Sequence, residues 1–335
     1  MSFLMHLERS FTEGLLPKKY HHLLLQFYAC YKEALEKDGV DSKSQEPFFL
    51  QFLKLVETQI KDPFIFEPYH RQIRSPFDHY QFGLNFLRPL IDLKRSSLTG
   101  KEHLEEICQK LQRKENVIFL ANHQIEADPQ VLSVMLENDY PKLAENMIFV
   151  AGERVLTDPL AAPFSMGYNL LCIYSKRYID HPPELKTQKQ LHNKKTMELM
   201  SDLLCEGGHA IYVAPSGGRD RANSEGLVPV SSFDPSSIEL FYLMTQKALR
   251  PTSFYPMALY TYDLLPPPDE IKIELGEERK TQRGGVHVSI GKNISMEEIP
   301  GLAEVDKKTR REVRAEYIWD QVCKLYAKFP ARIKH

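Results

Sequence analysis

The stretch Asn122-His123-Gln124-Ile125-Glu126-Ala127-Asp128 sets an imidazole and a carboxylate five residues apart, directly after the apolar run Val117–Ala121. If the chain turns between them, the carboxylate accepts the Nδ1 proton and fixes the tautomer. Nε2 is then free to take a proton from an attacking hydroxyl. Such a base needs no serine or cysteine nucleophile, because the alcohol that attacks belongs to the substrate. The same residues admit a plainer reading, since Asp before Pro129 is an ordinary helix start. A second group with chemical potential is Arg219 and Arg221, which follow Pro215-Ser216-Gly217-Gly218. The glycines let backbone N–H groups approach a ligand closely, and in an extended stretch residues two apart share a face, so both guanidinium groups could converge on one anion. Equally, arginines flanking an aspartate commonly form a surface ion-pair cluster.

The elements that must position these groups are legible around them. Val117–Ala121 is a continuous apolar run of the kind found in strands buried on both faces, and polar residues begin where that strand ends. In open α/β sheets ligands bind beyond the carboxyl ends of the strands, which is where Asn122, His123 and Asp128 fall. Further apolar runs at Met147–Ala151, Leu170–Tyr174, Ala210–Ala214, Phe254–Tyr260, Ile271–Leu275 and Val286–Ile290 read as strands, the last two joined as a hairpin through Gly284-Gly285. Helical patterns between them, at Lys101–Arg113 and Pro129–Glu137, give the alternation of a wound α/β domain. Asp-Pro pairs at Asp128, Asp158 and Asp234 read as helix starts.

Before Ser97 the pattern is different. Tyr20, Leu23, Leu24, Phe27, Tyr31 and Leu35 recur at helical spacing; Phe49, Phe52, Leu53, Val56 and Ile60 repeat the stripe; Tyr80, Leu84, Leu87 and Ile91 form a third. The expected organisation is therefore a small helical N-terminal domain over residues 1–80 and a large αβ domain over 81–335 with a mixed, mainly parallel central sheet, closed by an amphipathic helix at Lys307–Lys328.

Composition narrows the class of function. A formal net charge of −2 over 335 residues gives no global basic field for nucleic acid or an anionic membrane. Five scattered cysteines without C-x-x-C spacing read as reduced thiols, neither a disulfide framework nor a zinc site. No apolar run approaches the ~18 residues of a membrane span. The first residues, with Glu8, Arg9 and Glu13, lack the features of a signal or transit peptide, so the expected location is cytoplasmic.

Taken with the motifs between them, these stretches resemble the soluble, plastid-type glycerol-3-phosphate 1-acyltransferases. His-Gln-x-Glu-Ala-Asp-Pro, Phe-Val-Ala-Gly-x-Arg-Val-x-Thr-Asp-Pro-Leu, Pro-Phe-Ser-Met-Gly-x-Asn-Leu-Leu-Cys, Ala-Pro-Ser-Gly-Gly-Arg-Asp-Arg and Phe-Asp-x-Ser-Ser stand here in the family's order, within residues 117–237. The resemblance implies the acyltransferase fold with a sheet of about nine strands, His123 and Asp128 as the catalytic pair, and Arg219 and Arg221 as ligands of the substrate phosphate. Where plant members typically carry Ser-Lys-Lys-His, this chain has Ser175-Lys176-Arg177-Tyr178. Arg177 keeps the charge of a phosphate ligand, and Tyr178 keeps a hydrogen-bond donor but loses a possible positive charge.

The implied reaction is direct acyl transfer to the 1-hydroxyl of glycerol 3-phosphate from the thioester of acyl carrier protein or coenzyme A. It uses no cofactor and no metal. Acyl carrier protein is acidic, and the lysines Lys186, Lys189, Lys194 and Lys195, part of which can share a helix face, are its expected docking surface. Three alternatives carry less of the pattern. A non-catalytic phospholigand or carrier-binding protein would not need His123 with Asp128. An acyltransferase for lysophosphatidate would act at a membrane. A metal-dependent phosphohydrolase would need an Asp/His cluster at ligand spacing.

Overall fold

A computed structural model describes residues 2–175, 179–268 and 275–330. The chain opens with three amphipathic helices, α1 (Phe3–Thr12), α2 (Lys18–Lys37) and α3 (Glu46–Lys61). A short strand β1 (Tyr69–His70) precedes α4 (His79–Leu87). That helix stops at Leu87, short of the expected stripe to Ile91, because Pro89 supplies no amide hydrogen and the chain tightens into a 3₁₀ turn over Arg88–Leu90.

The α/β region follows in chain order. It comprises β2 (Ser97–Thr99), α5 (Lys101–Gln112), β3 (Asn116–Ala121), α6 (Asp128–Leu136), α7 (Pro141–Asn146), β4 (Ile148–Gly152), the short helices α8 (Arg154–Thr157) and α9 (Ala162–Ser165), and β5 (Asn169–Ile173). Then come α10 (Lys186–Glu206), β6 (Ala210–Val213), α11 (Pro235–Lys247), β7 (Thr252–Tyr260), β8 (His287–Ile290) and α12 (Lys307–Tyr326).

The described residues form one sheet of eight strands in the order β1-β5-β4-β6-β3-β7-β8-β2, where the resemblance implied about nine. Most pairs are parallel; β1 against β5 and β7 against β8 are antiparallel. The expected strand Ile271–Leu275 falls on residues of which 271–274 lie outside the described ones. The antiparallel neighbour of β8 is β7, with Met257 opposite Ile290 and Tyr260 opposite His287, and its parallel neighbour is β2; the expected hairpin partner lies, but for Leu275, outside the described residues.

β3 lies inside the sheet, between β6 and β7, and every one of its residues is buried. Its period of two divides the core. Val117, Phe119 and Ala121 join a cluster with Phe27 and Tyr31 of α2, Phe49 and Phe52 of α3, Phe86 of α4 and Val131 of α6. Ile118 and Leu120 face the other cluster, with Met200 of α10, Ile238 of α11 and Ile318 of α12. The result is helices on both faces of the sheet. The apolar cluster runs without interruption from α2 and α3 through α4 to the strands. Gly167 permits part of this closeness: a Cβ there would lie 2.5 Å from the Tyr80 backbone nitrogen, so the start of α4 can cross the chain just before β5.

Of the three Asp-Pro pairs read as helix starts, Asp234 caps α11 by accepting the Ser236 N–H. Asp158 does not start a helix: it terminates α8, and its carboxylate accepts the Leu160 N–H at 2.9 Å and the Gly276 N–H at 2.8 Å. Asp128 is the first residue of α6, and its side chain turns backwards into the loop instead of capping forwards.

Candidate active site

The end of β3 is tied to both neighbours before any catalytic group appears. The Asn122 side chain accepts the Leu259 N–H at 2.7 Å and donates to the Leu259 carbonyl at 2.9 Å, continuing the β3–β7 ladder by one side-chain step. The Tyr212 hydroxyl of β6 donates to the Asn122 carbonyl at 2.7 Å. Directly beyond this fixed point, His123 Nδ1 stands 2.7 Å from Asp128 Oδ2. That oxygen also accepts the backbone N–H groups of Gln124 at 2.8 Å and Ile125 at 3.3 Å. A carboxylate oxygen has no hydrogen to give, so Nδ1 carries the proton and Nε2 of the neutral ring is the acceptor. Asp128 is 1% exposed and His123 29%, so the carboxylate is enclosed while the imidazole keeps part of its surface open to solvent.

The Pro215–Arg221 loop packs against this pair, since the Asp220 N–H donates to the His123 carbonyl at 2.6 Å. Asp220 is fully buried and accepts from Asn122 Nδ2 at 2.9 Å and from the Ser231 N–H at 2.9 Å. Burial raises its carboxyl above the ordinary range, while those donors and the His123 charge pull it back. Gly217, with φ +67°, makes the turn, and added Cβ atoms at Gly217 and Gly218 would meet nothing within 4 Å.

With Asp220 directed inward, Arg219 and Arg221 meet other partners. Arg219 Nη2 donates to Glu277 Oε2 at 2.6 Å, and Arg221 Nη1 donates to the Pro268 carbonyl. The sequence did not reveal this environment. Arg154, Arg219 and Arg279 surround Glu126, Asp158 and Glu277, with Arg279 Nη2 2.8 Å from Glu126 Oε2 and Arg154 Nη2 3.4 Å from Glu277 Oε1. Burial alone would raise the Glu126 carboxyl, but Arg279 and Arg219 outweigh it and hold it below the usual range. Burial likewise opposes the charge on Arg279, and Glu126 and Asp158 outweigh it. Of the two arginines expected from the Gly-Gly turn, Arg219 belongs to this largely buried ionic network, while Arg221 is half-buried and tied to the Pro268 carbonyl.

Arg177 and Tyr178 lie outside the described residues. The end of β5 that leads towards them is held by α10: Thr196 and His192 contact the Cys172 carbonyl at 2.6 and 3.0 Å, and the Asn193 side chain bonds both the N–H and the carbonyl of Tyr174. Lys189 belongs to this inward face. It is 6% exposed, donates to the His181 carbonyl and lies 5.1 Å from the centre of the Tyr174 ring. That corrects the expectation of four lysines on one docking surface. Lys186 and the adjacent pair Lys194 and Lys195 remain exposed, with Lys186 2.8 Å from Asp180 and Lys194 3.8 Å from Glu198. Cys172 is buried and its thiol is pushed up to about 12 by desolvation, which makes it a poor nucleophile.

On the side of the cluster facing the N-terminal helices, a narrow, mostly apolar cleft runs between α4, α6 and α9. Phe86, Leu87, Gly83 and Phe164 line it, with Ala127 of the His-Asp loop and Arg279.

The histidine held by a carboxylate at the end of a central parallel strand lies in the stretch, residues 96–260, that matches the family described as Acyltransferase. The chloroplastic glycerol-3-phosphate acyltransferase of Cucurbita moschata is 37% identical over 98% of this chain and 74% of its own length. That of Arabidopsis thaliana is 36% identical over 96% and 71%. The chain belongs to the plastid-type glycerol-3-phosphate acyltransferase family. Among solved structures, the 1-acyl-sn-glycerophosphate acyltransferase of Thermotoga maritima overlays 91% of this chain and 97% of its own at 13% identity and a TM-score of 0.39, a likeness too loose to carry an assignment. Among the described residues no helix is long and apolar enough to cross a membrane.

Proposed function

We propose that this protein transfers a fatty acyl group from the thioester of acyl carrier protein or coenzyme A to the sn-1 hydroxyl of glycerol 3-phosphate, giving 1-acylglycerol 3-phosphate and the free thiol. The observation that carries this reading is the His123–Asp128 pair, with Nδ1 held by a buried carboxylate and the imidazole partly exposed. His123 Nε2 takes the proton of the 1-hydroxyl as its oxygen attacks the thioester carbonyl. Asp128 stabilises the resulting imidazolium. When the tetrahedral intermediate collapses, the C–S bond breaks and the imidazolium returns the proton to the departing sulfur. Arg219 and Arg221 are assigned to the phosphate, with Arg177 and Tyr178 as further ligands on the family's pattern; guanidinium forks fit phosphate oxygens bidentately. A reducing aqueous compartment, the cytoplasm on the sequence expectation, suits the five free cysteines, although the relatives are named chloroplastic.

The direct test incubates the purified protein with labelled glycerol 3-phosphate and each thioester in turn. Formation of labelled 1-acylglycerol 3-phosphate supports the reading; a protein that binds glycerol 3-phosphate and turns over neither donor defeats it.

Two consequences concern the donor. The acyl chain is assigned to the apolar cleft, and Gly83 is part of its wall. An added Cβ there would sit 3.4 Å from Gln130 Cγ and 3.8 Å from Phe164 Cδ1, ordinary contact that takes up space without a clash. Gly83→Leu is therefore expected to shift donor preference from longer to shorter chains by roughly 10-fold in relative kcat/KM, the scale set by one or two methylenes in a closed pocket. An unchanged chain-length profile would move the chain to another groove.

The carrier is assigned to the exposed lysines that remain on α10. Reversing Lys194 and Lys195 to Glu is expected to raise KM for the acyl carrier protein thioester and to weaken its salt dependence, with coenzyme A thioester turnover little changed. Equal effects on both donors, or none, would place carrier docking elsewhere.

A further inference from the structure

We propose that Thr261, just beyond the end of β7, is a positioning residue for the His123–Asp128 pair. The inference rests on the reaction proposed above and deepens it. Asp128 has two oxygens, and the loop 123–128 supplies donors to only one: Oδ2 takes His123 Nδ1 and the N–H groups of Gln124 and Ile125. A carboxylate held at one oxygen can still swing about its Cβ–Cγ bond. The second anchor is the Thr261 hydroxyl, which donates to Oδ1 at 2.6 Å from a position 133 residues along the chain.

Thr261 is itself held by the loop it serves. Gln124 Oε1 accepts the backbone N–H of Thr261 at 2.8 Å and that of Tyr262 at 3.1 Å, so the connection is reciprocal and made at more than one point. At 1% exposure Thr261 has no surface to offer a substrate, and its influence passes through Asp128. Removing its hydroxyl strands Oδ1 in a dry pocket and frees the carboxylate to turn, which loosens the ring whose Nε2 must meet the attacking hydroxyl.

The test uses the whole enzyme and measures kcat and both KM values, with thermal unfolding as the check on folding. Thr261→Val keeps the β-branch and removes the donor. It is expected to lower kcat roughly 10- to 100-fold, the worth of one hydrogen bond to a charged group, with each KM changing less than about 3-fold. Thr261→Ser, which restores the hydroxyl, is expected to return kcat to within about 3-fold of the parent; Thr261→Ala gives the same reading as Val if the Val variant does not fold. In a His123→Ala background, Thr261→Val is expected to cost nothing further, because the group it positions has gone. Parental kcat in Thr261→Val, an equal loss in Thr261→Ser, or a full additional loss on His123→Ala would each overturn the assignment to Thr261 alone. If His123→Ala itself turns over at the parental rate, the proposed reaction fails and the Thr261 role fails with it.

Discussion

His123→Ala is expected to lower turnover by roughly 10²–10⁴, the usual worth of a general base, while glycerol 3-phosphate still binds. The arginines assigned to the phosphate are held by Glu277 and the Pro268 carbonyl and do not rely on the imidazole. The ring is partly exposed, so its removal leaves no large cavity, and calorimetric titration with glycerol 3-phosphate reports binding independently of turnover. Asp128→Asn is expected to be severe by another route. Asp128 Oδ2 accepts from two N–H groups and an imidazole; placing an amide nitrogen there would oppose donor to donor and favour the wrong tautomer. Near-parental kcat in His123→Ala would remove the imidazole from the mechanism.

The other large effect is expected at Arg219. Arg219→Ala should raise KM for glycerol 3-phosphate roughly 10- to 150-fold, corresponding to about 1.5–3 kcal/mol for a charged hydrogen bond, with the donor KM nearly constant. The substitution also removes the 2.6 Å ion-pair partner of Glu277, leaving its carboxylate to Arg154 at 3.4 Å and the electrostatic pull of Arg279, so an unfolding measurement must accompany the kinetics. Loss of equal size toward both substrates would mark Arg219 as a support of the loop and not a ligand of the phosphate.

Much of this site was legible in the sequence because its signals are local. Five apolar residues ending in Asn-His locate both the strand and its functional end, and the spacing to Asp128 fixes the turn. The Gly-Gly turn and its flanking arginines could be read in the same way. What escaped was tertiary. Thr261 and Asn122 each follow an apolar strand, and nothing in either stretch tells which carboxylate or strand edge the side chain will meet. Glu277 and Arg279 show no pattern in the chain, and their importance comes from burial beside Glu126 and Asp158. Lys189 was misread because a run of lysines carries no mark of which one faces the sheet; α10 turns that position toward Tyr174.

The Asn122 cross-link bears on how the molecule comes to be active. Its partners on β6 and β7 lie 90 and 137 residues away, and both strands join β3 in parallel, which requires a crossover connection in each case. Contacts of such long range form slowly because the loop entropy is lost before the pairing rewards it. His123, Asp128 and the Asp220 loop therefore come together only once the middle of the sheet has closed, and a refolding chain is expected to regain secondary structure before acyl-transfer activity.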